Sequence, residues 1–158
     1  MYTIKHDTER VIAVLDDTEV WLKVIWHWLK RFGFKNTRCF SDLNEFTNFA
    51  YNAQNNVAIF LVDYFLGNQT SDTIIKQLRK MNPESLIIAM SADFVGDENI
   101  VDTSSMKNAI NAGANRAIFK DIKILNDILY HHLLIRETGI EFTEDDIKTL
   151  SIDNHQHI

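Results

Sequence analysis

The sequence predicts an α/β protein, a doubly wound (βα)5 arrangement around a five-stranded parallel sheet, on three observations. Short runs of branched apolar residues alternate with longer stretches of helical spacing, which implies parallel pairing, right-handed crossovers and helices on both faces. One run, VAIFLV at 57–62, is continuously apolar, as expected of a strand buried on both faces. Turn signals fall between the runs: Gly33, Asn82-Pro83 and Ala112-Gly113-Ala114.

Taken in order, Val11 to Leu15 (VIAVL) is the first strand and ends in Asp16-Asp17. From about Thr18 to Phe32, apolar side chains recur at helical intervals (Trp21, Val24, Ile25, Trp28, Leu29, Phe32), and Gly33 stops the helix as a C-terminal cap. Lys35 to Phe40 is a second strand, and Ser41 is a candidate N-cap for a helix over Leu43 to Asn52. Val57 to Val62 is the third strand, followed by a helix over Ser71 to Lys80 that Asn82-Pro83 closes. Leu86 to Met90 is the fourth. A long acidic stretch and a short helix near Ser105 to Asn111 lead through Gly113 into the fifth, Arg116 to Phe119. A last helix covers about Lys123 to Ile135.

At 158 residues, with 46% apolar and 24% charged side chains, the chain has the size and composition of one globular domain. Its net charge of −6 argues against non-specific binding to nucleic acid or an anionic membrane. The polar start gives no sign of a signal peptide, and no apolar run approaches the roughly 18 residues a membrane span needs. Cys39 is the only cysteine, which excludes a disulfide framework and a cysteine-based zinc site. The expectation is a cytoplasmic protein with its domain at 1–135. The tail at 136–158 is too small for an output domain: a short helix from Thr143 to Leu150, begun by Thr143, Glu144, Asp145 and Asp146, then a frayed end containing His155 and His157.

In doubly wound sheets, ligands bind beyond the carboxyl ends of the strands. Those ends carry Asp16-Asp17, Asp63, Ser91 and Lys120. If strand one lies beside strand three, three carboxylates converge and repel unless a cation intervenes. Mg²⁺, a hard ion that accepts a few carboxylates and completes its shell with water, suits them. Such a cluster beside a lysine and a hydroxyl fits phosphoryl transfer. Asp63 is the candidate nucleophile, Lys120 neutralises charge on the equatorial oxygens, and the Ser91 hydroxyl donates to one of them.

In these residues the sequence resembles the receiver domains of response regulators, over about Glu9 to Leu134. Their pattern has an acidic pair after strand one, Asp after strand three, Ser/Thr-Ala after strand four (here Ser91-Ala92) and Lys after strand five. The resemblance implies a flavodoxin-like fold with strand order 2-1-3-4-5. It implies Mg²⁺ held by Asp17 and Asp63 directly, by Asp16 through water and by the Phe65 carbonyl. It also implies phosphorylation of Asp63 by a histidine kinase or phosphotransfer protein, signalling or relay by protein contact, and no enzymatic activity beyond the chain's own phosphorylation and dephosphorylation. In the family, helix one docks the phosphodonor. Leu22 and Trp26, at i and i+4, are expected to point away from the buried face as part of that partner surface.

Four features depart from the family pattern. Asp121 follows Lys120 where a proline is usual, and reads as a cap for the last helix. Ala117 stands where many receivers carry an aromatic. Phe65 and Asp93 flank the site at two residues past Asp63 and Ser91. The segment 92–112 is long, and reads as a surface loop, with a lid or partner loop as the functional alternative. Two other functions compete. One is a degenerate receiver that binds partners unphosphorylated. The other is a phosphohydrolase of the haloacid-dehalogenase type, which needs a second Asp where this chain has Phe65. No Gly-rich loop follows strand one, which excludes a nucleotide-binding turn.

Overall fold

The structure is a computed structural model, and residues 10–94 and 103–138 are described. Five strands, β1 (Val11–Leu15), β2 (Asn36–Phe40), β3 (Val57–Asp63), β4 (Leu86–Ser91) and β5 (Arg116–Phe119), form one parallel sheet in the order β2-β1-β3-β4-β5. Between them lie α1 (Glu19–Arg31), α2 (Leu43–Ala50), α3 (Asp72–Met81) and α4 (Thr103–Ala112), and α5 (Ile122–Thr138) follows. This is the doubly wound parallel sheet and strand order expected above. The chain divides into two compact units. One is 8–120; the other holds, among the described residues, 121–138.

Within 8–120, the direction of winding reverses at β1, so right-handed crossovers send α1 to one face and α2, α3 and α4 to the other. Side-chain alternation agrees. Ala13, Leu15, Phe60, Val62, Ile87 and Ala89 share a buried cluster with Phe46 and Ala50 of α2, Ile75 and Leu78 of α3, and Ala109 of α4. The intervening Ile12, Val14, Ile59, Leu61, Ile88 and Met90 are fully buried on the opposite face. β3 and β4 are thus dry on both sides, whereas β2, at the edge, is half-exposed.

Helix α1 ends as its glycine predicts. Gly33 has φ +93°, its N–H reaches the Lys30 carbonyl at 2.9 Å, and the Phe34 N–H reaches Leu29 at 3.0 Å, with Phe34 buried beneath the turn. The α2 cap differs from expectation. Asp42, not Ser41, accepts the Glu45 N–H at 2.9 Å. The helix stops at Ala50, and a short 3-10 turn over Ala53–Asn55 precedes β3.

The buried face of α1 also differs. Leu22, Ile25 and Leu29 form its buried stripe, and the half-buried Trp21, Val24 and Trp28 flank it. Leu22 is therefore a core residue and not part of an exposed patch. Large indole rings are rarely buried whole, so the smaller aliphatics hold the centre of the face. Trp26 is half-buried with the Lys30 ammonium 4.5 Å from its ring, and the exposed apolar residue of α1 is Val20.

At the amino end of β4 and β5, Arg79 of α3 ties three segments together. It donates to the carbonyls of Gly113 (2.9 Å), Asn82, Pro83 and Ser85, and to the Asn115 side chain at 2.6 Å. Gly113 sits at φ +129°, and a Cβ there would lie 2.7 Å from Arg79 Cβ. The Ala-Gly-Ala turn is thus a close approach of backbone to the Arg79 stem.

In the second unit, Asp121 caps α5 as expected, its Oδ1 accepting the backbone N–H of Lys123 at 2.8 Å and of Ile124 at 3.3 Å. The helix expected at Thr143 to Leu150 and residues 95–102 of the long segment lie outside the described residues. Among the described residues, no helix is long and apolar enough to cross a membrane.

Candidate functional site

Strand register brings the expected residues to one edge. Leu15 pairs with Val62, which sets Asp16 beside Asp63 at the point where the winding reverses. Asp63 pairs with Met90 and Ser91 with Phe119, so Ser91 and Lys120 emerge at the same edge. Asp16, Asp17 and Asp63 each offer a carboxylate oxygen within 4.8 Å of the others. Asp16 and Asp63 are buried and Asp17 is exposed.

The Lys120 ammonium enters this cluster, 2.7 Å from Asp16 Oδ2 and 3.6 Å from Asp63 Oδ1. Asp16 Oδ1 accepts the Thr18 N–H at 2.8 Å at the entry to α1, whereas buried Oδ2 has no hydrogen-bond donor apart from that ammonium. Burial, with Asp16 alongside, pushes the Asp63 carboxyl up from its ordinary 3.8 to about 7, even against the pull of Lys120. One lysine therefore does not neutralise three crowded carboxylates. A hard divalent cation fits the donor set, all oxygen and mostly anionic, with the exposed side of Asp17 open to water.

Ser91 is buried. Its Oγ accepts the Asp93 N–H at 2.9 Å, which leaves the hydroxyl proton to donate elsewhere. Its carbonyl accepts from both Phe94 N–H and Lys120 N–H, each at 3.3 Å. Asp93 itself is exposed. Ala117, in β5, is half-buried, and no aromatic side chain replaces it on that strand before Phe119.

Several neighbours escaped the sequence reading. A small hairpin pairs Phe65–Leu66 with Gln69–Thr70 around Gly67 at φ +59°. The Gly67-Asn68 dipeptide was its legible signal. Ser71, fully buried, donates its hydroxyl to the Asp63 carbonyl, and its N–H reaches the Tyr64 carbonyl at 2.8 Å. The Tyr64 hydroxyl donates to Asp72 at 2.8 Å, and burial holds that phenol up at about 12. The rings of Tyr64, Phe65 and Phe94 form an apolar cluster, with centroids 4.9 Å (Tyr64–Phe65), 5.3 Å (Tyr64–Phe94) and 6.3 Å (Phe65–Phe94) apart. Phe65, expected to lend its carbonyl to a metal, thus has its ring committed to Tyr64 and Phe94.

No protein-family model matches the chain, and no curated protein matches it. Solved structures do. A response regulator from Burkholderia pseudomallei, solved with a phosphorylated aspartic acid, calcium and citrate, is 17% identical with a TM-score of 0.62, over 94% of this chain and 75% of that one. The receiver domain of the histidine kinase CKI1 from Arabidopsis thaliana, solved with Mg²⁺, is 18% identical with a TM-score of 0.59, over 78% of this chain and 93% of that one. A third structure is the receiver domain of Ssk1 with the histidine phosphotransfer protein Ypd1, from Saccharomyces cerevisiae. It matches at 12% identity and a TM-score of 0.64, over 89% of this chain and 97% of that one. The likeness is one of architecture: the chain has the flavodoxin-like fold of receiver domains.

Proposed function

We propose that this chain is a response-regulator receiver in which Asp63 accepts a phosphoryl group from a phosphohistidine on a histidine kinase or phosphotransfer protein. The observation that carries the reading is the convergence of Asp16, Asp17 and Asp63 within 4.8 Å around the ammonium of Lys120. Asp16, Asp17, Asp63 and the Phe65 carbonyl would hold Mg²⁺, which supplies charge neutralisation at the transferring phosphoryl group.

An Asp63 carboxylate oxygen attacks phosphorus, the phosphorus–nitrogen bond breaks, and the imidazole leaves with the bonding pair. Lys120 balances the charge that remains on the phosphoryl oxygens, and the Ser91 hydroxyl donates to one of them. The added charge then biases an equilibrium in the segments after β4 and β5, which signals or relays by protein contact in the cytoplasm. The phosphodonor complex and the Mg²⁺-bound domain among the structural neighbours support the kind of partner and the metal. A haloacid-dehalogenase reading has no acid two residues past Asp63, where Phe65 is packed on Tyr64.

The test is incubation with a small phosphodonor or beryllofluoride, with and without Mg²⁺. A Mg²⁺-dependent adduct that disappears in Asp63→Asn is expected. An intact protein that forms none would instead be an unphosphorylated binding module, and repeated turnover of a phosphate ester would make it an enzyme.

A further inference from the structure

Lys120 is enclosed by more than carboxylates. Its ammonium lies 6.0 Å from the centroid of the Trp21 ring, and its side chain is only 15% exposed. Trp21 stands in the first turn of α1, the helix whose entry Asp16 caps through Thr18. Its indole nitrogen is buried with no acceptor, a cost that Leu or Phe in the same place would avoid. What an indole adds over either is the stronger negative ring face, which attracts cations.

We infer that Trp21 is a positioning residue for Lys120, holding the ammonium at the site when a metal and a phosphoryl group occupy it. The reason lies in competition. Without a metal, Asp16 and Asp63 restrain the lysine at 2.7 and 3.6 Å. A divalent cation claims those same carboxylates and weakens their hold on a flexible four-carbon stem. The indole face is a neutral partner that the metal does not compete for. It keeps the ammonium from swinging to solvent as the phosphoryl group arrives.

The inference rests on the phosphorylation reading, and one titration separates the two. Beryllofluoride with Mg²⁺ is titrated into the full chain, Trp21→Leu, Trp21→Phe, Lys120→Ala and the Trp21→Leu, Lys120→Ala double variant. We expect Trp21→Leu to bind about two- to fivefold more weakly, in keeping with an exposed-to-partly-buried cation–π contact. Trp21→Phe should recover part of the loss, and Trp21→Leu should have no further effect once Lys120 is gone. In a Trp26→Phe, Trp28→Phe background, where Trp21 is the sole tryptophan of the three, its emission should change on Lys120→Ala. Absence of an adduct in the unaltered chain defeats the phosphorylation reading and this inference together. An adduct of equal affinity in Trp21→Leu, a loss undiminished without Lys120, or unchanged emission defeats the positioning role alone.

Discussion

Asp63→Asn should make the metal-free protein more stable, and the size of the gain follows from the site. The Asp63 carboxyl is held at about 7 against an ordinary 3.8, so the folded state binds its proton more tightly than the unfolded chain does. Stability is then fully present below about pH 4, declines as pH rises through the interval, and has lost the whole contribution above about pH 7. At roughly 1.36 kcal/mol per unit, the ionised carboxylate costs the fold up to about 4 kcal/mol at pH 8. That cost is already net of the Lys120 contact at 3.6 Å. A buried amide brings two N–H donors that need partners, which reduces the expected gain to about 2–3 kcal/mol. For a chain of this length that is a rise in Tm of about 5–10 °C. Thermal unfolding followed by circular dichroism in EDTA at pH 8 and pH 5 measures it. The gap should narrow to about 1–2 kcal/mol at pH 5, and close again at pH 8 when Mg²⁺ stabilises the parent protein by binding its native state. An Asp63→Asn protein no more stable than its parent at pH 8 in EDTA, or a gap that widens toward acid, would show that the Asp63 carboxylate is not a burden on the fold.

Other consequences are accessible to the same or simpler measurements. Gly113→Ala forces a Cβ to within 2.7 Å of Arg79 at φ +129°, and should cost about 2–4 kcal/mol in denaturant unfolding; a neutral substitution would show that the turn relaxes freely. Tyr64→Phe removes the donor to Asp72 in a buried setting and should cost about 1–3 kcal/mol with phosphorylation retained. Phe65→Asn combined with Asp93→Ala opens the cluster of Phe65 with Tyr64 and Phe94 and places an amide two residues past Asp63. The phosphorylated protein should then lose its phosphoryl group severalfold faster in a radiolabel chase, and an unchanged half-life would remove Phe65 and Asp93 from any account of lifetime.

The parts of this fold that were legible in the sequence are those set by local rules. β1 and β5 have the expected limits because apolar runs met charges or turns at both ends, and Gly33 closes α1 because only a left-handed residue allows that exit. The carboxylate cluster was legible because strand ends in a doubly wound sheet converge whatever the intervening helices contain. The outward placement expected of Leu22 fails because periodicity locates an apolar face but not its centre, and the indoles of Trp21 and Trp28 outweigh the aliphatic stripe at 22, 25 and 29. Contacts between residues far apart in sequence left no local trace. Arg79 meeting Gly113 and Trp21 meeting Lys120 depend on a register that no single segment carries.

The carbonyl of Ser91 serves two donors at once, the N–H of Phe94 and the N–H of Lys120. Chemistry and mechanics at this position are therefore separable. The hydroxyl can be deleted in Ser91→Ala, removing the donor proposed for a phosphoryl oxygen, while the main-chain yoke between the segment after β4 and the lysine after β5 stays intact. Whatever displaces one of those segments pulls on the other through a single oxygen atom. That linkage is indifferent to side-chain identity, so the coupling of the two segments belongs to the backbone and survives substitutions of the side chains around it.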